Sequence, residues 1–143
     1  MSRSEKREAA FLLVYQSDFN DEPIEEIAES TISEFDMTVN SDEEAGGIVE
    51  KAKAILDNAG NADEIIARYS KTRKVERIAK VSAAIMRAAL YEMDCDEDVP
   101  DKVAINEAIE LCKKYAEKPD CNFVSGVLGS YYREKNGIES VNG

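Results

Sequence analysis

Residues 99–129 read VPDKVAINEAIELCKKYAEKPDCNFVSGVLG, and their pattern decides the fold class. Ala104, Ala108, Leu111, Cys112 and Tyr115 recur at i, i+4, i+7, i+8 and i+11, one apolar stripe that Ile105 and Ile109 widen. So broad a stripe predicts a deeply buried helix. Pro100 suits its first position, where a missing N–H costs no hydrogen bond, and Asp98 and Asp101 complement the positive helix end. The helix is expected to end at 114–117. Lys118, Pro119 and Asp120 then lead into a second helix running to about residue 135, with Asp120 as the expected N-cap and Val124, Val127, Leu128 and Tyr131 on its buried face.

The same helical period extends upstream. Ser2 and Glu5 have capping-box spacing ahead of a helix at 4–17, whose segment 9–15 is apolar almost all round, as in a helix packed on several sides. A second helix opens at Pro23, with Ile24, Ile27, Ala28, Ile32 and Phe35 as its stripe. A third follows another capping-box pattern at Ser41 and Glu44 and is expected to stop at Gly60. Asn61 restarts a short fourth helix through Tyr69, and 70–74 form a basic connector. Helical spacing resumes at Val75 and runs to Met93, with a break expected at 78–81 before an acidic loop at 94–98. No strand alternation and no solenoid repeat occur, so the expected class is all-α, a compact bundle of six to seven helices in a single domain, with a frayed tail at 137–143.

Composition narrows the function. The 143 residues are 43% hydrophobic with few prolines and glycines, enough to build a core without metal or disulfide staples. No apolar run reaches membrane-spanning length and the first residues carry no apolar signal core, which predicts a cytoplasmic, soluble protein. Cys95, Cys112 and Cys121 are odd in number and form no C-x-x-C pair, which favours small hydrophobes in a reduced compartment over disulfides or zinc ligands. Histidine is absent, and no phosphate-cradling glycine loop or nucleophile elbow is present. The expectation is a protein without catalytic site, metal or cofactor. The net charge of −12 argues against nucleic-acid binding until its distribution is read. Residues 20–50 hold eleven acids and no base, whereas 68–87 hold seven bases and Glu76 alone. The acidic block reads as a solvated helix face, and the two surfaces must be judged separately.

Several polar residues stand out. Asn106 and Glu107 interrupt a broadly apolar helix; the amide is expected to satisfy backbone groups of a neighbouring loop, and Glu107 to pair with Arg87 across helices. Gly126 lies inside the last helix at a cost in helix propensity, which suggests close approach of another backbone. Asn122, Phe123 and Ser125 at the expected helix start offer an amide, an aromatic ring and a hydroxyl beside exposed N–H groups. Such a set suits a phosphate and an unstacked base, or serves plain capping and packing. Arg3, Lys6 and Arg7 read either as a solvated helix start or as a basic arm.

The run Val99-Pro100, Val103-Ala104-Ile105-Asn106-Glu107-Ala108-Ile109-Glu110-Leu111 and Phe123-Val124-Ser125-Gly126-Val127-Leu128 resembles the NusB family of bacterial transcription antitermination factors. Arg7-Glu8-Ala9-Ala10 and the segment 86–92 extend the resemblance to nearly the whole chain. It implies an all-helical fold in two packed helical subdomains, here about 1–60 and 61–136, and a non-enzymatic role. The implied partners are boxA-type RNA, the ribosomal protein NusE and the antitermination complex on RNA polymerase during ribosomal RNA synthesis. By resemblance the RNA contacts are Arg3, Lys6 and Arg7 together with Asn122 and Phe123, and Tyr69 and Glu76 continue the RNA and NusE surface; Ser125 joins the expected RNA contacts and Arg73 and Lys80 the expected NusE contacts, while Arg87, Asn106, Glu107 and Gly126 read from the residues themselves as structural. Two departures stand out: the dense arginine arm of the family is interrupted here by Ser4, Glu5 and Glu8, and its F-V-N-G reads Phe123-Val124-Ser125-Gly126. The thinner arm predicts weak, salt-dependent RNA binding raised by NusE. It also leaves room for a protein-interaction module, with a homodimer as one form. A third reading, the NusB-like domain preceding a methyltransferase, is disfavoured by the missing cofactor loop.

Overall fold

The computed structural model describes residues 1–138, and the described residues contain seven α-helices and no strand. The chain divides into two units, Met1–Asn58 and Ala59–Gly143. The first holds α1 (Arg3–Ser17), α2 (Ile24–Glu34) and α3 (Asp42–Asp57). The second holds α4 (Ala59–Tyr69), a 3₁₀ turn (Val75–Arg77), α5 (Lys80–Cys95), α6 (Asp101–Tyr115) and α7 (Lys118–Lys135).

In the first unit α1 packs on α2 and α3. Its capping box is complete: the Glu5 N–H donates to Ser2 Oγ at 3.1 Å and the Ser2 N–H to Glu5 Oε1 at 3.0 Å. The run from Ala9 to Val14 is buried all round, none of its six residues more than 2% exposed. At α3 the box is only half made. Ser41 Oγ accepts the Glu44 N–H at 3.1 Å, but the Glu44 carboxylate takes the Asn40 N–H at 3.0 Å and the Met1 ammonium at 3.2 Å. The chain terminus is thereby tied to α3. Burying the α2 stripe stops short of Phe35, which is the C-cap residue and is exposed. Beyond it Asp36 sits in the left-handed region (φ 52°), where the Asp36 N–H reaches the Ser33 carbonyl at 3.2 Å and the Met37 N–H the Ile32 carbonyl at 3.0 Å. This is a Schellman turn with an aspartate where glycine is usual.

In the second unit α5 is the central helix, contacting α4, α6 and α7. Ala84, Ile85, Met86, Ala88, Ala89, Leu90 and Met93 form its buried faces. The expected break at 78–81 is present, because Val75–Arg77 is a 3₁₀ turn and α5 begins only at Lys80. Four other expectations are corrected. Gly60 does not stop α3, which ends at Asp57, and instead lies inside α4. Pro100 is the N-cap of α6, one residue before the helix. The cap of α7 is Glu117, so Lys118 and Pro119 occupy the first positions and Asp120 the third. Proline there needs no hydrogen-bond partner, which lets the helix start earlier than an Asp cap would. Gly137 (φ 67°) and Ile138 close α7 through bonds to the Glu134 and Arg133 carbonyls at 3.2 and 2.8 Å, so the expected tail does not begin at 137. Residues 139–143 of that tail lie outside the described residues.

Candidate nucleic-acid interface

The second unit gathers an aromatic and basic cluster where the connector after α4 meets the first turns of α7. Asp120 and Phe123 are three residues apart and so share one face of α7. Arg73, from the connector, addresses both. Its Nη1 donates to Asp120 Oδ1 at 2.5 Å, and its Cζ lies 4.7 Å from the Phe123 ring centroid. The carboxylate in the first helical turn is favoured by the helix dipole and fixes the guanidinium over the ring. The connector is held in shape by the Ser70 hydroxyl, which donates to the Arg73 carbonyl, and by the Arg77 N–H, which donates to the Lys74 carbonyl at 2.8 Å. Around it opens a groove of about 450 Å³ lined by Lys71, Thr72, Arg73 and Lys74 among others.

Further along α7 a second tie holds α4. Arg68 Nη1 donates to both Glu134 oxygens, at 3.0 and 2.8 Å, and its Cζ lies 5.9 Å from the neighbouring Tyr69 ring. Burial first, and then the Glu134 carboxylate as acceptor, push the Tyr69 hydroxyl above its ordinary range. The ring therefore stays neutral and half-buried beside the connector.

Asn122, Ser125 and Gly126 are exposed on α7, and Phe123 is half-buried under Arg73. Because α7 starts at Lys118, the unpaired N–H groups lie upstream of Asn122, and the reading of 122 and 123 as a helix start is corrected. Gly126 is corrected too: a Cβ built there meets nothing within 4 Å, so no packing inside the described residues requires glycine. Asn106 lies exposed on α6 rather than bonded under a loop. Arg87 closes a fork on Asp63 of α4, Nε to Oδ1 at 2.8 Å and Nη2 to Oδ2 at 2.9 Å. That partner was not expected, and Glu107 sits half-buried on α6. Glu76 in the 3₁₀ turn and Lys80 at the start of α5 are exposed beside Val75, itself 46% exposed. Arg73, grouped by resemblance with Glu76 and Lys80, stands instead with Phe123.

In the first unit Arg3 and Lys6 are exposed, but Arg7 is buried at 7% exposure and is corrected as a surface contact. Lys6 Nζ lies 3.9 Å from the Glu44 carboxylate that also holds the chain terminus, so part of the arm's charge is already matched. Hydrogen bonding from Asn40 N–H first, with help from the Met1 ammonium and Lys6, holds that carboxyl below its usual range.

Among the described residues no group of three His, Cys, Asp or Glu side chains could hold a metal ion. Cys112 is buried between α6 and α7, and desolvation, reinforced by Cys121, pushes its thiol up to about 12. That is the behaviour of a packing residue, since a reactive or ligating thiol needs the opposite shift. No helix among the described residues is long and apolar enough to cross a membrane.

A model of the NusB family matches residues 4–133. The chain belongs to the NusB family. It is 37% identical over 135 residues to the transcription antitermination protein NusB of Acetivibrio thermocellus, covering 94% of this chain and 91% of that one. It is 39% identical over 132 residues to NusB of Agathobacter rectalis, covering 92% and 99%. Among solved structures it resembles T. maritima NusB, with TM-score 0.79, 29% identity and coverage of 94% and 92%. The antitermination factors NusB and NusE in complex with double-stranded RNA give a TM-score of 0.77 at 21% identity, covering 92% and 96%, which supports the NusB fold alone.

Proposed function

We propose that this chain is a non-enzymatic antitermination adaptor that binds boxA-type single-stranded RNA together with NusE and carries both to transcribing RNA polymerase. The observation that supports it most is the Arg73–Phe123 pair beside exposed Asn122 and Ser125. Single-stranded RNA is recognised by stacking unstacked bases on aromatic rings and guanidinium planes, with amides and hydroxyls reading base edges. Lys71 and Lys74 in the adjoining groove supply phosphate contacts, and Arg3 and Lys6 add a smaller basic patch on the first unit. Val75, Glu76 and Lys80 offer an apolar residue flanked by both charges, a surface suited to NusE. Membership of the NusB family makes this RNA and this protein the partners to test.

A second reading, a protein-interaction module with little RNA binding of its own, is favoured by the buried Arg7 and the Glu44-matched Lys6. Fluorescence anisotropy with boxA-like and scrambled RNA, with and without NusE at two salt concentrations, separates the two. The adaptor reading expects weak, salt-sensitive binding alone and a preference for boxA once NusE is present. Equal affinity for both RNAs in the presence of NusE sinks it.

A further inference from the structure

The first unit carries a groove unrelated to the aromatic cluster. It lies along α2, the loop that follows it and the start of α3, with a volume of about 710 Å³. Its floor is apolar, from Ala28, Ile32, Val39 and Val49, and Glu29, Asp42 and Glu50 stand exposed on its rim. Residues 20–50, which include every lining residue, contain no Lys or Arg, and Lys53, just beyond them, pairs with the lining Glu25. Gly46 lines the same groove and Gly47 follows it inside α3, yet a Cβ at either meets nothing within 4 Å. Two adjacent glycines weaken a helix, no packing within the described residues asks for them, and they leave this stretch of α3 open to close approach from outside.

From the apolar floor, the acidic rim and the bare Gly46–Gly47 step, we infer that this groove docks a basic amphipathic helix of a partner protein. The charge of the rim selects lysine and arginine flanks, and the floor takes an apolar stripe. A helix fits better than an extended segment. The groove is walled by helices, and the Asn40 N–H in its loop is already given to Glu44 at 3.0 Å, so little main-chain template is left for strand addition.

The test titrates the ¹⁵N-labelled full chain with a synthetic helical peptide carrying leucines at i, i+3, i+4 and i+7 and lysines between them. Amide shifts are expected to concentrate at Ile32, Val39, Gly46 and Gly47. Gly46→Leu plugs the groove while improving helix propensity, so it should keep or raise Tm and weaken the peptide by about tenfold. Glu29→Lys should weaken it to a similar degree, whereas Glu34→Lys, the same charge change outside the lining, should change it by less than about twofold. Shifts spread over the whole acidic surface, with Gly46→Leu binding as well as the parent, overturn the proposal in favour of unspecific ion pairing. Concentration-dependent shifts of the groove amides without peptide, abolished by Gly46→Leu, overturn it in favour of a second copy of this chain.

Discussion

The two units use charge in opposite ways. Met1–Asn58 has fifteen acids against five bases, and the remainder of the chain has fifteen acids against thirteen bases. In the first unit one carboxylate, Glu44, organises an amide, the chain terminus and Lys6, while most of the other acids face water. In the second unit four acids are tied to bases or hydroxyls elsewhere in the unit: Asp63 to Arg87, Asp120 to Arg73, Glu134 to Arg68, and Asp94 to Tyr131 and Lys135. The overall charge of −12 thus belongs almost entirely to one half. A basic surface patch and an acidic chain are compatible because different units supply most of each.

The same contrast appears in the titrating groups. Glu5, Glu25 and Glu44 in the first unit are lowered by hydrogen bonds to the charged form, those to Ser2 N–H, Lys53 and Asn40 N–H leading respectively. Tyr69, Tyr91, Tyr131 and Cys112 in the second are raised, in each case by burial first. Lowered carboxyls contribute stability that is full above their ordinary value of 4.5 and lost as pH falls through the folded values. Raised phenols and thiols contribute stability that is full below the ordinary value and lost as pH rises through the folded one. The largest expected effect lies on the alkaline side. Cys112, moved from 9.0 to about 12, should make the second unit lose on the order of 4 kcal/mol between those pH values. Thermal melts across that range check this, and Cys112→Ala should flatten the slope even though it weakens packing at neutral pH. An unchanged slope would mean that the thiol is not desolvated as described.

Next in size is the Arg87–Asp63 fork, part-buried with side chains 18% and 39% exposed. Arg87→Ala should cost about 2 kcal/mol in chemical denaturation, since it breaks two charge-assisted hydrogen bonds. In the first unit Lys53 meets Glu25 in water, the side chains 42% and 57% exposed, and Lys53→Ala should leave the denaturation midpoint nearly unmoved. Equal effects would erase the distinction between tied and solvated charge. Between these two, Asp36→Gly should raise the stability of the first unit by about 1 kcal/mol, because glycine carries no Cβ penalty at φ 52°.

Much of the fold was legible because helix signals are local. The Ser2–Glu5 box, the buried run from Ala9 to Val14 and the interruption before α5 all follow from residues within a few positions of each other. Boundaries failed where two local signals competed. Asp120 is a good cap, but Pro119 is compatible with the first turn, and the helix took the earlier start. Gly60 could end α3 or join α4, and a glycine is tolerated in either place.

The candidate site was harder to read because its geometry is long-range. Arg73 and Phe123 are both visible in the sequence as a base in a basic connector and a ring in a helix, but nothing local places one over the other. The burial of Arg7 was hidden for a related reason: in a helix buried all round, a long side chain can follow the core even at a basic terminus. Asn106 misled in the other direction, since a polar residue in an apolar stripe can simply mark the exposed edge of the helix.

The proposed function rests above all on the Arg73–Phe123 pair of the second unit serving as an RNA-stacking platform. Its most direct test is the affinity of the NusE-bound protein for boxA RNA in the parent and in Phe123→Ala, with circular dichroism confirming unchanged helicity. Stacking of one base is worth about 1–3 kcal/mol, so affinity should fall by roughly 5- to 160-fold, and Arg3→Ala on the first unit should have a smaller effect. Parent-like binding by Phe123→Ala, with the fold intact, would contradict the account.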